Sequence, residues 1–158
     1  MYTHHKFDHE FKGDINPIVS YMVCSIPRSG SSLLCELLCA TGRAGAPTEF
    51  FDATLMKEFS TAWQVESFEQ YLDALLRKKT SPNGVFGVKV HYGQFIDAFG
   101  DADVTGLFPN LRFIYIRRQD HVRQAVSYAR AEQTGQWAAD HPSRTESPAA
   151  TTSIRGLN

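Results

Sequence analysis

The most informative part of the sequence for the fold is Ser25-Ile26-Pro27-Arg28-Ser29-Gly30-Ser31-Ser32-Leu33-Leu34. An apolar run over 18–24 precedes it and a leucine-rich run over 33–38 follows it, so the predicted order is a strand, a turn of small residues and a helix. Such a turn holds backbone N–H groups beside the positive end of the helix dipole, where an anion such as phosphate binds. Arg28 and the serine hydroxyls add donors. The alternative interpretation is a turn that only caps a buried helix.

The loop differs from the triphosphate-binding motif G-x-x-x-x-G-K-[ST], because it has a single glycine and no lysine. The motif's lysine and its magnesium-binding hydroxyl serve the outer phosphates of ATP. The sequence therefore disfavours, without excluding, a small P-loop kinase.

Composition is typical of one folded domain. The chain has 158 residues, of which 42% are hydrophobic and 21% charged, which is enough for a core. A net charge of −1 gives no basic field, so we expect no nucleic-acid partner. No apolar run is long enough to span a bilayer, and the polar first residues do not form a signal peptide. Three cysteines, none in a C-x-x-C pair, predict free thiols and no metal site, and we expect a cytoplasmic protein.

Apolar patterns predict strands over 18–24, 85–90 and 111–116. Helices are predicted over 33–38, which Gly42 ends, over 61–79, over 95–99, and from the cap Asp120 to Gly135. The four leucines at 33, 34, 37 and 38 indicate a broad buried face on the first helix. Strands that alternate with helices predict an α/β fold, a P-loop-like three-layer domain with a parallel sheet flanked by helices.

We assign residues 1–137 to this domain. Residues 138–158 are rich in Ser, Thr, Ala and Pro, which predicts a disordered tail. The carboxyl ends of parallel strands meet at one edge of the sheet. Polar side chains that follow the three strands should therefore line one crevice: Arg28, Lys89, His91, Tyr92, Arg117 and Arg118. The segment 48–51 follows the first helix, and the sequence alone does not decide whether it returns to that edge.

Five segments, in order and spacing, resemble the sulfotransferases that use 3'-phosphoadenosine 5'-phosphosulfate (PAPS). The resemblance is greatest to the bacterial carbohydrate group typified by trehalose 2-sulfotransferase. The segments cover about residues 20 to 137, and they are 27–34, 40–42 with 47–51, 87–89, 118–127 and 130–137.

The resemblance implies a role for each site residue. The first loop would hold the 5'-phosphosulfate through Arg28, Ser29, Gly30, Ser31 and Ser32. Arg118 and Ser127 would bind the 3'-phosphate, and Glu49 would act as the general base that accepts the proton of a sugar hydroxyl. Candidate substrate contacts are Phe51, Lys89, His91 and Tyr92. PAPS is then the co-substrate, no metal is required, the acceptor is a carbohydrate or glycolipid, and a homodimer is implied.

Two departures from the family pattern bear on function. Ala46 stands where these enzymes commonly carry a polar or acidic residue before the proline, so specificity for trehalose itself is not predicted. The family also continues well beyond the segment that matches 130–137. We therefore expect a C-terminally truncated member whose fold is incomplete at its C-terminal side.

Besides a small P-loop kinase, the sequence supports two functional hypotheses. The first is an enzyme that transfers a sulfuryl group from PAPS to a hydroxyl of trehalose or a related glycan or glycolipid. The second is a non-catalytic remnant that binds the nucleotide only and exposes apolar surface.

Overall fold

The structure is a computed structural model that describes residues 10–137. It contains three strands, β1 (Val19–Ser25), β2 (Val85–His91) and β3 (Arg112–Ile116). Its α-helices are α1 (Ser31–Ala40), α2 (Ala53–Trp63), α3 (Phe68–Lys79), α4 (Tyr92–Phe99) and α5 (His121–Thr134), with a 3-10 turn at Val104–Gly106. The chain divides after Arg118 into two compact units. Helix α5 belongs to the second unit, and all the other elements belong to the first.

The described strands form a parallel sheet in the order β2-β1-β3. Ser25 at the end of β1 pairs with His91 on β2 and with Ile116 on β3, so the three carboxyl ends lie at one level. The predicted α/β class, with a parallel sheet flanked by helices, is confirmed.

Each face of the sheet packs against different helices. On one face Phe86, Val88 and Val90 alternate along β2 and join an aromatic cluster that includes residues of α3 and α4. On the other face Tyr21 and Val23 of β1 pack with the α1 thiol of Cys35 and its neighbours. The first unit therefore has three layers, with α1 on one side of the sheet and α3 and α4 on the other.

The single helix predicted over 61–79 is wrong. Helix α2 ends where Gln64 adopts a left-handed conformation with φ 56°, and Ser67 starts α3 by accepting a hydrogen bond from the Gln70 backbone N–H. Trp63 and Phe68, on either side of the break, pack against the same core. The apolar pattern of the sequence therefore continues across the break, although the helix does not.

The prediction of a broad buried face on α1 is also wrong. Leu33 and Leu37 are 62% and 61% exposed, while Cys35 is 2% exposed. A helix on a sheet buries one stripe, and in α1 that stripe runs through Cys35, with Leu34 and Leu38 packed beside it.

Three predicted helix ends are confirmed, one on α1 and two on α5. Gly42 has a left-handed φ of 64° just after α1. Asp120 caps α5 by accepting from the Arg123 backbone N–H, and Gly135 ends that helix with φ 67°. No helix within residues 10–137 has the length and apolar character needed to cross a bilayer. The predicted tail, 138–158, lies outside the described residues.

Candidate active site

The loop between β1 and α1 contains two residues with positive φ just before the helix begins. Arg28 has φ 63° and Gly30 has φ 96°, so the chain turns sharply into α1. Gly30 is the N-cap residue, and as a glycine it offers no side chain of its own to cap the helix. The Ser29 hydroxyl oxygen is shielded from solvent and has no hydrogen-bond partner within the described residues. A buried hydroxyl without a partner is rare, and it fits a loop built to receive a ligand oxygen.

A segment that follows α1, residues 43–49 (the return segment), brings Glu49 back to the carboxyl edge of the sheet. The Tyr21 hydroxyl donates to the Ala44 carbonyl at 2.6 Å, and the Lys89 backbone N–H donates to the Thr48 carbonyl at 2.9 Å. Gly45 has φ 70° and lies against the backbone of Gly87. The segment therefore runs beside β2, and Glu49, its last residue, lies at the end of that strand.

Three side chains surround the Glu49 carboxylate. The Lys89 Nζ lies 2.5 Å from Glu49 Oε1, and the Gln94 Nε2 donates to Oε2 at 2.7 Å. The His91 Nε2 lies 3.5 Å from Oε1. The Glu49 side chain is 28% exposed, so it stays partly accessible to solvent.

These neighbours fix the charge of Glu49. Burial by itself raises the pKa of the carboxyl, but the hydrogen bond with His91, the charge and hydrogen bond of Lys89 and the hydrogen bond from Gln94 act together in the other direction. The net effect holds the pKa of Glu49 well below its ordinary value of 4.5. Glu49 is thus a carboxylate at neutral pH.

Lys89 joins Glu49 to the loop. Its side chain is only 7% exposed, and besides the ion pair its Nζ donates to the Ser32 hydroxyl oxygen at 3.0 Å. Ser32 lies in the first turn of α1. One ammonium group therefore contacts both the predicted base and the predicted anion site.

Backbone contacts hold the other two partners of Glu49. The His91 Nδ1 lies 2.8 Å from the Ser25 carbonyl oxygen and 3.2 Å from the Ser25 hydroxyl. The Gln94 Oε1 accepts from the His91 backbone N–H at 2.9 Å. Gln94 was not among the residues predicted from the sequence. Its signal is the glutamine at the third position of a short helix, where an amide side chain reaches back to the residue before the helix.

The remaining predicted residues lie in different surroundings. Tyr92, the first residue of α4, is 77% exposed, whereas Phe51 is 3% exposed and its ring packs 4.7 Å from that of Phe99. Phe51 thus belongs to the core and is not presented to solvent. Arg118, at the end of the first unit, and Ser127, on α5 in the second, are each partly exposed. Their assignment to a 3'-phosphate stays a prediction.

Metal-binding groups are not clustered in the part of the chain that the structure describes: residues 10–137 contain no group of three His, Cys, Asp or Glu side chains placed to hold an ion. Cys24, Cys35 and Cys39 are all free thiols.

Comparison with known proteins gives a consistent set of matches. The sequence profile of the Stf0 sulphotransferase family matches residues 20–153. A trehalose 2-sulfotransferase of Mycolicibacterium smegmatis (strain ATCC 700084 / mc(2)155) is 35% identical over 75% of this chain and 58% of its own length. A trehalose 2-sulfotransferase of Mycobacterium tuberculosis (strain ATCC 35801 / TMC 107 / Erdman) is 35% identical over 77% of this chain and 60% of its own length. The chain therefore spans about three fifths of the length of these curated relatives.

Proposed function

Because the chain belongs to the Stf0 sulphotransferase family, we propose that it carries the donor site and the general base of an enzyme that transfers a sulfuryl group from PAPS to a carbohydrate hydroxyl. One observation carries this proposal. Lys89 contacts Glu49 and Ser32 at once, so a carboxylate and an anion loop lie side by side. Transfer of an anionic group to a hydroxyl needs both a proton acceptor and a site that stabilises negative charge.

The loop supports the assignment of the donor. The Ser29 hydroxyl lacks a partner, and an oxygen of a phosphosulfate would supply one. Arg28 adds positive charge, and the first turn of α1 adds backbone donors. We propose that Arg28, Ser29, Gly30, Ser31 and Ser32 bind the 5'-phosphosulfate. From the family resemblance alone, we assign the 3'-phosphate to Arg118 and Ser127.

The carboxylate supports the assignment of the base. When bound, PAPS supplies the activated sulfuryl group and leaves as adenosine 3',5'-bisphosphate. Glu49 accepts the proton of the attacking hydroxyl on a carboxylate oxygen. Lys89 supplies positive charge beside it for the oxygens on which negative charge develops. This scheme requires no metal.

The acceptor is proposed as a class. The curated relatives are named for trehalose, and their names together with the family support a carbohydrate or glycolipid hydroxyl. His91 is a partly buried candidate contact and Tyr92 an exposed one. Ala46, the departure from the family pattern, is 4% exposed, so it offers an acceptor little surface. We therefore propose a sugar hydroxyl as the acceptor group and do not assign a particular sugar.

We also propose that the protein is cytoplasmic and forms a homodimer. Three free thiols are compatible with a reducing compartment such as the cytoplasm. The homodimer rests on the family resemblance only.

A second candidate function is nucleotide binding without turnover. Large apolar side chains are exposed on two elements of the first unit: Leu33 and Leu37 on α1, at 62% and 61%, and Phe113 and Tyr115 on β3, at 57% and 72%. Apolar surface of this kind favours association with another surface. This candidate predicts that the chain binds adenosine 3',5'-bisphosphate but transfers no sulfuryl group.

Sulfuryl transfer from labelled PAPS to a panel of sugars and glycolipids tests the proposal. We expect turnover that Glu49→Gln lowers by about 10²–10⁴-fold, because the base is lost, while Glu58→Gln on the exposed face of α2 leaves it unchanged. Turnover that Glu49→Gln leaves intact would reject Glu49 as the base. Binding of the bisphosphate without any turnover would favour the second candidate.

A further inference from the structure

Lys89 contacts both the proposed base, Glu49, and Ser32 in the loop proposed for the anionic donor. Its Nζ lies 2.5 Å from Glu49 Oε1 and 3.0 Å from Ser32 Oγ. The first contact holds the proposed base, and the second reaches the loop proposed for the anionic donor. An incoming anion near Ser32 would compete with the carboxylate for the same positive charge, because the three N–H donors of an ammonium group belong to one compact charge.

The contact with Lys89 also weakens Glu49 as a base. A general base works best when its pKa lies near the working pH. In the arrangement observed, His91, Lys89 and Gln94 together hold the pKa of Glu49 far below that range. Loss of any one of these partners would therefore make the Glu49 carboxylate a stronger base.

Of the three partners, Lys89 is the one able to move. His91 is held at Nδ1 by the Ser25 carbonyl, and Gln94 is held at its other amide atom by the His91 backbone. Lys89 has a flexible four-carbon stem, and its second contact is a serine hydroxyl in the loop itself. A small rotation about the stem exchanges the carboxylate for a ligand oxygen near Ser32.

We propose that Lys89 couples occupancy of the loop to the availability of Glu49: when the sulfuryl group of the donor enters the loop, the Lys89 ammonium turns toward its oxygens and releases the carboxylate. The inference rests on the proposed function, and it adds an order of events. Glu49 becomes an effective base only while a donor is present, so the acceptor hydroxyl is not activated in its absence. Lys89 is in this sense a positioning residue for the base.

The test measures the pKa of the Glu49 side chain directly, by ¹³C NMR of the carboxyl carbon in the full chain, with its resonance assigned from Glu49→Gln. The titratable groups around Glu49 are Lys89 and His91 on β2 and the Cys35 thiol on α1, whose pKa burial raises to about 11, so that thiol stays neutral in the acid range. We expect saturating PAPS to raise the pKa of Glu49 by about one unit or more.

Variants separate release from simple repulsion by the bound anion. In Lys89→Met we expect a pKa of Glu49 that is already raised without PAPS and that PAPS shifts less than in the wild type. Lys57→Met, which removes an exposed charge on α2, should reproduce the wild-type response. A shift in Lys89→Met as large as that in the wild type would mean that repulsion alone acts, and it would overturn the coupling.

The same coupling is reciprocal, because linkage makes each site affect the other equally. Glu49→Gln should tighten PAPS binding about 10-fold, and the gain should disappear when Lys89 is methionine as well. If PAPS binds and neither effect occurs, the coupling is rejected and the proposed function stands. If PAPS does not bind the wild-type chain, the proposed function itself fails, and the coupling fails with it.

Discussion

Gly45 lies directly against Gly87: a Cβ atom on Gly45 would come within 2.8 Å of the Gly87 backbone nitrogen. Gly45 also has a φ of 70°, a conformation that side chains with a Cβ rarely adopt. This contact seats the return segment against β2, and the return segment carries Glu49. The position of the proposed base therefore depends on a glycine at position 45, outside the site.

Gly45→Ala tests this dependence. The clash with backbone and the positive φ should lower the free energy of unfolding by about 1–3 kcal/mol, and the variant should also lose sulfuryl transfer because Glu49 shifts. Gly106→Ala, where a Cβ meets nothing within 4 Å, is the matched control. Thermal unfolding and turnover are the measurements. A Gly45→Ala variant of wild-type stability and activity would contradict the proposed support of Glu49.

Ser29→Ala tests the anion loop. The Ser29 hydroxyl has no partner in the described chain, so its removal should leave stability unchanged or slightly raised. A hydrogen bond to a charged ligand should be lost, which weakens adenosine 3',5'-bisphosphate about 10–100-fold. Ser20→Ala removes the other shielded hydroxyl that lacks a partner, on β1 and outside the loop, and should leave binding unchanged. Equal effects of the two substitutions would argue against a ligand contact at Ser29.

The acid dependence of stability tests the environment of Glu49. Its pKa is lowered on folding from an ordinary value of 4.5, so its contribution is fully present above that value and is lost as the pH falls toward the lowered pKa. Glu49→Gln should cost about 1–3 kcal/mol at neutral pH, and its difference from the wild type should shrink in acid. Chemical denaturation at several pH values measures this, with Glu58→Gln as the control. A difference that does not depend on pH would contradict the assigned contacts.

Arg118→Ala tests the assignment of the 3'-phosphate. We expect the variant to bind adenosine 3',5'-bisphosphate about 10-fold or more weakly and to bind adenosine 5'-phosphate as the wild type does. Arg117→Ala, at the exposed neighbouring position, should change neither affinity much. Calorimetric titration measures both ligands. Equal losses for the two nucleotides in Arg118→Ala would reject its role at the 3'-phosphate.

Much of the fold follows from local sequence signals. The order strand, small-residue turn and helix at 18–38, the strands near 85–90 and 111–116, and the caps of α5 all rest on residues whose preferences act locally. The break between α2 and α3 did not follow, because the left-handed Gln64 interrupts the backbone while Trp63 and Phe68 keep one apolar pattern across it.

The site was predictable in part. Residues at the ends of β1 and β2 were expected at one edge of the sheet, and the structure brings Lys89, His91 and the loop together there. The return of Glu49 to that edge depends on contacts far apart in sequence, such as those of Tyr21 with Ala44 and of Lys89 with Thr48. Leu33 and Leu37 were expected to be buried but are exposed. An apolar pattern in the sequence does not say which surface, if any, covers those side chains.

The proposed donor site is tested most directly by calorimetric titration of the purified chain with adenosine 3',5'-bisphosphate, with adenosine 5'-phosphate and ATP as comparisons. We expect the bisphosphate to bind at least about 10-fold more tightly than either comparison ligand. Binding of ATP in preference to the bisphosphate would contradict a sulfotransferase donor site and favour a kinase. Failure of the bisphosphate to bind at all would contradict the donor assignment of the loop.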